Sequence, residues 1–357
     1  MRIREDVPLA PMTSLRVGGG AKRFVEATDA NEIVRAVADA DARGERVLVL
    51  GGGSNLVVGD AGFDGLVVRV ASRGVTAKRL AGQADRVQVD VEAGEPWDDF
   101  VARCVSEGWS GVECLSGIPG LAGATPIQNV GAYGQEVKET ITSVRVLDRQ
   151  THDERDLAAS ECGFAYRASM FKCDARFVVT RVTFELDVRP DGAPVRYAEL
   201  ARALGVSAGS RAPLEETRRT VIALRRVKGM VLDAADPDSV SAGSFFVNPV
   251  LDDAQLASFI GRALARGIED AAIPRFPNDD GRTKLSAGWL IERSGFAKGW
   301  GPSPEARVGI SRKHALALVN RGGATCAELL DVARAIQRGV ESAFGVALVM
   351  EPVMVGE

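Results

Sequence analysis

Residues 115 to 134 read LSGIPGLAGATPIQNVGAYG, a stretch with five glycines, two prolines and no charged side chain. Glycine and proline at that density prevent a long helix, so the segment is not a membrane span, and without charge it gains little from lying in water. It needs a surface to lie against. The chain is long enough to supply one: 357 residues at 46% hydrophobic content correspond to two or three domains, each with its own core. A net charge of -4, with no long run of either sign, points away from nucleic acid as a partner.

A second glycine cluster, GGGSN at 51 to 55, follows the apolar run RVLVL. It departs from the dinucleotide template Gly-x-Gly-x-x-Gly, since position 56 is Leu and Leu56-Val57-Val58 reads as extended chain instead of a helix start. Three successive glycines still suit a nest of inward amides for a diphosphate, with Ser54 and Asn55 adding polar contacts. A tight strand-to-strand turn explains them equally well. The uncharged segment leaves a similar pair of readings. One is a flat, mostly apolar cofactor such as an isoalloxazine, met by backbone polar groups and by Ser116, Thr125, Gln128 and Asn129; the other is a buried inter-domain loop.

Cys104, Cys114, Cys162, Cys173 and Cys326 form an odd set with no Cys-x-x-Cys, and His152 and His314 are the only histidines. Disulfide scaffolds, zinc sites and His-based triads are therefore set aside. The cysteines read as mostly buried small hydrophobes, the histidines as surface or satisfied core residues. No apolar core follows the start MRIREDVPLAPMTS, and no apolar run approaches the ~20 residues a bilayer needs. The expectation is a reduced cytoplasmic protein without membrane contact, a monomer or weak oligomer.

Periodicity predicts helices over 31–44, 96–108, 214–228, 253–266, 286–294 and 326–344. Strands are predicted at 46–50, 56–58, 65–70, 86–94, 143–148 and 177–188, with a strand-like C-terminus. The polar break Asp233 to Ser241 suggests a hinge. Three further segments each set one polar group among apolar ones: Arg167 in GFAYRASMF, Ser244 in SAGSFFVNP and Glu351 in VMEPV. Unpaired burial of such charges is costly, so pairing or function is implied, and an ion pair between Arg167 and Glu351 satisfies the argument as well as catalysis does.

In order along the chain, MTSLRVGGGAKRF, VLVLGGGSNLVV, LSGIPGLAGATPIQNVGAYGQEV, GFAYRASMF, SAGSFFVNPV, KLSAGWLIE and LVMEPV resemble the UDP-N-acetylenolpyruvoylglucosamine reductase (MurB) family. The resemblance covers essentially the whole chain, and the combination of SGIPG, PIQN-x-GAYG and AGSFF is specific. It implies an α+β protein with a two-subdomain FAD-binding fold of the vanillyl-alcohol oxidase/PCMH type plus a C-terminal α+β substrate-binding domain. The implied division is 1–70 and 71–227 for the FAD subdomains, with a terminal strand at 346–357 returning to the second, and 228–345 for the substrate domain.

The resemblance also implies non-covalent FAD, held by Gly51, Gly52, Gly53, Ser54, Asn55, Ser116, Gly117, Ile118, Pro119, Gly120, Thr125, Gln128 and Asn129, with NADPH as electron donor and no metal. Arg167, Ser244 and Glu351 match the catalytic positions. Tyr133, Lys228 and Asn248 match contacts to the UDP-sugar, and Tyr197 falls where one subclass carries a tyrosine on a mobile substrate loop. In such a family reduced flavin N5 gives hydride to C3 of the enolpyruvyl ether of UDP-N-acetylglucosamine, and Ser244 protonates C2. Arg167 and Glu351 stabilise the growing charge, and UDP-N-acetylmuramate results for peptidoglycan precursor synthesis. Two other readings stand beside this one. An oxidase of the same flavin fold is disfavoured because no histidine lies near GGGSN or SGIPG to tether FAD; the other is a non-catalytic nucleotide-binding protein.

Overall fold

The computed structural model describes residues 1–356 apart from Cys173 and Asp279; the reading of Cys173 as a buried thiol, and Glu357, lie outside the described residues. The chain divides into two units. One comprises Met1–Pro8, Gly20–Gly53 and Phe63–Val227; the other comprises Leu9–Gly19, Ser54–Gly62 and the chain from Lys228 onward. This differs from a division into consecutive segments, because two stretches of the first 70 residues belong with the C-terminal part. The terminal strand Val353–Val355 runs parallel to Leu56–Val58, with Val353 opposite Leu56. It therefore joins the short run after the glycine cluster and not the 71–227 region, a pairing of β-branched segments that buries Val57 and Val58 completely.

The first unit holds two sheets whose strands separate at about residue 70. In the four-stranded sheet, Gly20–Ala27 lies between Arg4–Pro8, antiparallel to it, and Phe63–Val70, parallel to it. Val47–Leu50 adds to Phe63–Val70 at the far edge, also parallel. Helix Ala30–Ala42 buries Ile33, Ala36, Val37 and Ala40, starts where Asp29 accepts from the Glu32 amide, and gives way to Gly44 at φ 65°. The antiparallel sheet runs Asp153–Ala158, Ile141–Asp148, Phe177–Val188, Gln83–Glu92 and Val75–Leu80, with Trp109–Ser110 pairing beside Phe177–Val188. Helix Trp97–Ser106 belongs to the same core, where the rings of Trp97, Phe100 and Phe184 stand 5.2 to 5.9 Å apart. Pro96 is its N-cap, one position before the first turn in which the sequence places it. Burial of an aromatic side chain of this size is worth roughly 1.5–3 kcal/mol.

The second unit packs helices Asp253–Ala265, Ala287–Arg293 and Cys326–Phe344 around Phe245, Phe246, Phe259 and Phe344. The long helix opens with a reciprocal box between Thr325 and Glu328 and closes at Gly345, φ 67°. The polar break at 233–241 is ordered chain within this unit and not a hinge: Asp238 is buried and holds the Arg312 backbone amide at 3.0 Å and its guanidinium at 3.1 Å. The described cysteines, Cys104, Cys114, Cys162 and Cys326, are buried and unbridged. Among the described residues no helix is long and apolar enough to cross a membrane, and no cluster of His, Cys, Asp and Glu could hold a metal ion.

Candidate active site

Strand Val47–Leu50 delivers the chain into Gly51–Gly53, and the second glycine loop meets it there. A Cβ on Gly52 would lie 2.7 Å from the Gly120 Cα, so the two loops touch backbone to backbone and no side chain fits at position 52. The uncharged segment is laid along the end of the antiparallel sheet: Trp97 N–H donates to Gly120 O, Ala122 N–H to Glu95 O and Gly123 N–H to Ala93 O, at 2.8 to 3.0 Å. The Gly117 amide donates to Asp98 at 2.6 Å, and Asp98 forms a two-bond pair with Arg218. Burial pushes the Asp98 carboxyl up, but the Arg218 guanidinium and the Gly117 amide outweigh it and hold the group below the usual carboxylate range.

These loops fit a phosphate-bearing, apolar cofactor. Among the described residues the amides of Gly52, Gly53, Ile118 and Gly120 donate no hydrogen bond within the protein, although Gly53 is buried and Ile118 and Gly120 are half-buried; Gly52 is exposed. Backbone donors gathered on glycine loops are the chemistry that a flavin's pyrophosphate and ring edge require. The side chains do something different from the expectation. Ser116 is fully buried with its hydroxyl donating to Glu113 O at 2.6 Å, and Thr125 donates to Ala122 O at 2.7 Å. Both hydroxyl protons are spent on local carbonyls, which stitch 3-10 turns.

Asn129 is engaged within the protein more fully. Its carboxamide donates to Glu136 at 2.8 Å and to Ala165 O at 3.0 Å, and accepts from the Lys138 amide at 3.2 Å, with no surface exposed. The side chain braces the turn carrying Arg167. Ala165 and Ala168 exchange two backbone hydrogen bonds around Tyr166 and Arg167, and Arg167 takes φ 53°. Ser169 Oγ donates to Ile127 O at 2.6 Å, and the Arg167 guanidinium donates to Gly131 O at 2.8 Å. The uncharged segment and the arginine turn are thus one construction. Asn129, Tyr133 and Arg167 are three of the six described non-glycine residues at positive φ, so strain concentrates where sequence motifs place function.

Tyr133 meets the exposed Tyr197 edge-to-face at 5.5 Å, and Tyr197 is the N-cap of helix Ala198–Leu204. Burial pushes the Tyr133 phenol up to about 12, against the opposing pull of Arg225. Arg225, on helix Leu214–Val227, is itself buried, and burial lowers its guanidinium to about 10. Sequence reasoning missed Arg225; its sole signal is a helical position shared with Thr217 and Val221 on the buried face.

In the second unit the backbone brings Ser244 and Glu351 together. Glu351 N–H donates to Phe245 O at 2.9 Å, Phe246 bridges Met350, and Val247 N–H donates to Val349 O at 2.9 Å. Asn55 joins from the other side, its side chain donating to Glu351 O at 3.4 Å and its carbonyl accepting from Val353 N–H at 3.0 Å. Ser54 O accepts from the Ser14 hydroxyl at 3.3 Å. Asn248 Oδ1 accepts from the Ala287 amide at 2.9 Å at the head of helix Ala287–Arg293, and Lys228 is the half-buried residue with which this part of the unit begins. His314 stands next to Ser244: its Nε2 is 3.3 Å from the Ser244 hydroxyl, a place that the reading as a surface or satisfied core residue did not assign.

A family model described as FAD binding domain matches residues 21–152. A second, described as UDP-N-acetylenolpyruvoylglucosamine reductase, C-terminal domain, matches residues 236–355. Fold and glycine loops together define an FAD-binding α+β oxidoreductase. The UDP-N-acetylenolpyruvoylglucosamine reductase of Thermobifida fusca is 54% identical over 351 residues, 98% of this chain and 97% of the relative, and that of Salinispora arenicola is 56% identical over 97% and 94%. The crystal structure of the enzyme of that name (MurB) from Thermus caldophilus is similar over the full length of both chains, with a TM-score of 0.66 at 26% identity. The chain belongs to the UDP-N-acetylenolpyruvoylglucosamine reductase family.

Proposed function

We propose that this chain reduces the enolpyruvyl ether of UDP-N-acetylglucosamine to UDP-N-acetylmuramate, with NADPH as electron donor and the product serving peptidoglycan precursor synthesis. When bound, FAD supplies the two-electron chemistry between NADPH and the enolpyruvyl double bond. The amides of Gly52, Gly53, Ile118 and Gly120 hold it, with Gly51, Gly117 and Pro119 shaping the two loops, the Ile118 side chain against its apolar part, Gln128 reaching its polar edge, and Ser54 and Asn55 completing the first loop. Ser116, Thr125 and Asn129 shape that cradle from behind. Tyr133, Tyr197, Lys228 and the carboxamide NH2 of Asn248 receive the UDP-sugar.

The observation that carries this reading is the strained Arg167 turn, pinned by Asn129 and Ser169. A guanidinium fixed before substrate arrives has little reorganisation left to do when negative charge grows on the substrate carboxylate. Glu351 supports the same charge with a hydrogen bond, and Ser244 delivers a proton to C2. A hydroxyl is a feeble acid, but carbon of carbanion character is a strong base, so proximity suffices. The chain works in the cytoplasm as a monomer or weak oligomer.

The test separates the two half-reactions by stopped flow. Purified protein is yellow, bleaches with NADPH, and recovers colour anaerobically with UDP-N-acetylglucosamine enolpyruvate. Ser244→Ala slows the second step and leaves the first alone. Equal slowing of both steps refutes the role of Ser244, recovery by oxygen alone favours an oxidase, and a colourless protein favours a non-catalytic nucleotide binder.

A further inference from the structure

Ser244 poses a chemical difficulty: once its Oγ–H bond breaks, the alkoxide left behind is a high-energy anion unless another proton arrives. A proton carrier hydrogen-bonded to it in the second unit is His314, with Nε2 at 3.3 Å. Several bonds fix that placement. Phe245 N–H donates to Leu316 O at 2.7 Å, which ties the residue after Ser244 to the His314 loop. The loop closes on Ser311, fully buried, whose N–H donates to Ala317 O at 2.8 Å and whose hydroxyl accepts from the Lys313 and His314 amides at 3.0 and 3.3 Å. Buried Asp238 grips the same loop through Arg312, and Lys313 donates to Asp236 at 2.8 Å, so the flanking cations are engaged with carboxylates.

We propose that His314 is the positioning and proton-returning partner of Ser244. This rests on the reading of Ser244 as the proton source. The step balances as follows: the Ser244 Oγ–H bond breaks as the carbon's electron pair forms the new C2–H bond, and the O–H pair stays on Oγ. An Nε2–H of the protonated imidazole then passes its proton to Oγ, leaving neutral imidazole, which regains a proton from solvent before the next turnover. The hydride at C3 comes from the reaction already assigned.

Two substitutions and one spectrum test this in the holoenzyme. His314→Phe removes the donor and is expected to slow recovery of flavin colour by UDP-N-acetylglucosamine enolpyruvate about 10²-fold, the lower bound for a positioned acid. Reduction by NADPH stays unchanged. His314→Gln keeps a hydrogen-bond donor near the Nε2 position but no transferable proton, so it recovers only the positioning part and stays well below the wild-type rate. Because the chain has only two histidines, a 15N-histidine-labelled sample reports two imidazoles, and His152, more than 3.5 Å from its Asp41 partner, serves as reference. Ser244→Ala is expected to shift the His314 Nε2 signal and leave that of His152 in place. An unmoved signal, a Gln variant restored to the wild-type rate, or a Phe variant slowed in both half-reactions overturns the proposal. If Ser244→Ala itself leaves the second half-reaction intact, the reading of Ser244 fails; if Ser244→Ala slows it and His314→Phe does not, the proposal for His314 alone fails.

Discussion

The arginine turn and the serine segment differ in how much of their geometry rests on side chains. Arg167 is held by side chains reaching across sequence: Asn129 to Ala165, Ser169 to Ile127, and its own guanidinium to Gly131. Ser244 and Glu351 are held by main-chain bonds, among them Glu351 to Phe245 and Val247 to Val349. A backbone-built site tolerates loss of neighbouring side chains, because its geometry does not depend on them. A site pinned by side chains in left-handed backbone has fewer substitutes, since each pin also satisfies a buried polar group.

Four measurements break or sharpen that contrast. Arg167→Ala is expected to slow the substrate half-reaction about 10²–10³-fold with flavin reduction intact, the range for removing a fixed charge-stabilising donor. Asn129→Ala follows: loss of a buried carboxamide with three partners removes the acceptor of the Lys138 amide and one bond each from Glu136, which keeps Lys138 Nζ at 3.0 Å, and from Ala165 O, which keeps the Ala168 amide, and urea unfolding should show a loss of about 2–3 kcal/mol. Asn55→Ala, which removes the 3.4 Å side-chain bond to Glu351 O, should cost less than about 1 kcal/mol by the same measurement. A cost equal to that of Asn129→Ala ends the distinction between the two regions. The smallest effect concerns alkali. The Tyr133 phenol is raised to about 12 by burial, so its contribution to stability is complete below about pH 10 and is lost as pH climbs through about 12. Denaturant midpoints of Tyr133→Phe across that window should lack this part of the decline.

Sequence exposes those features whose cause is local. Phe177–Val188 and Cys326–Phe344 coincide with their predicted ranges because each carries an uninterrupted pattern of burial and clear ends. Asp153–Ala158 was not legible, since DERDLA buries only Leu157 and takes its strand conformation from pairing with Ile141–Asp148. Val75–Leu80 is hidden for the same reason, an edge strand with mostly exposed side chains. In the candidate site, Arg167, Ser244 and Glu351 are visible as polar residues in apolar motifs. The inward use of Asn129, Ser116 and Thr125 is not, because a side chain facing a ligand and one facing a carbonyl have the same sequence signature. His314 lies in SRKHALA, and only the fold connects it to Ser244.

The contact between Gly52 and Gly120 makes two distant codons behave as one locus. Elsewhere in a protein a bulky replacement on one wall can be rescued by trimming the facing residue, but here neither wall has an atom to give up. Saturation mutagenesis should therefore find no second-site suppressor at the opposite position, and both positions should score as intolerant although neither carries a functional group.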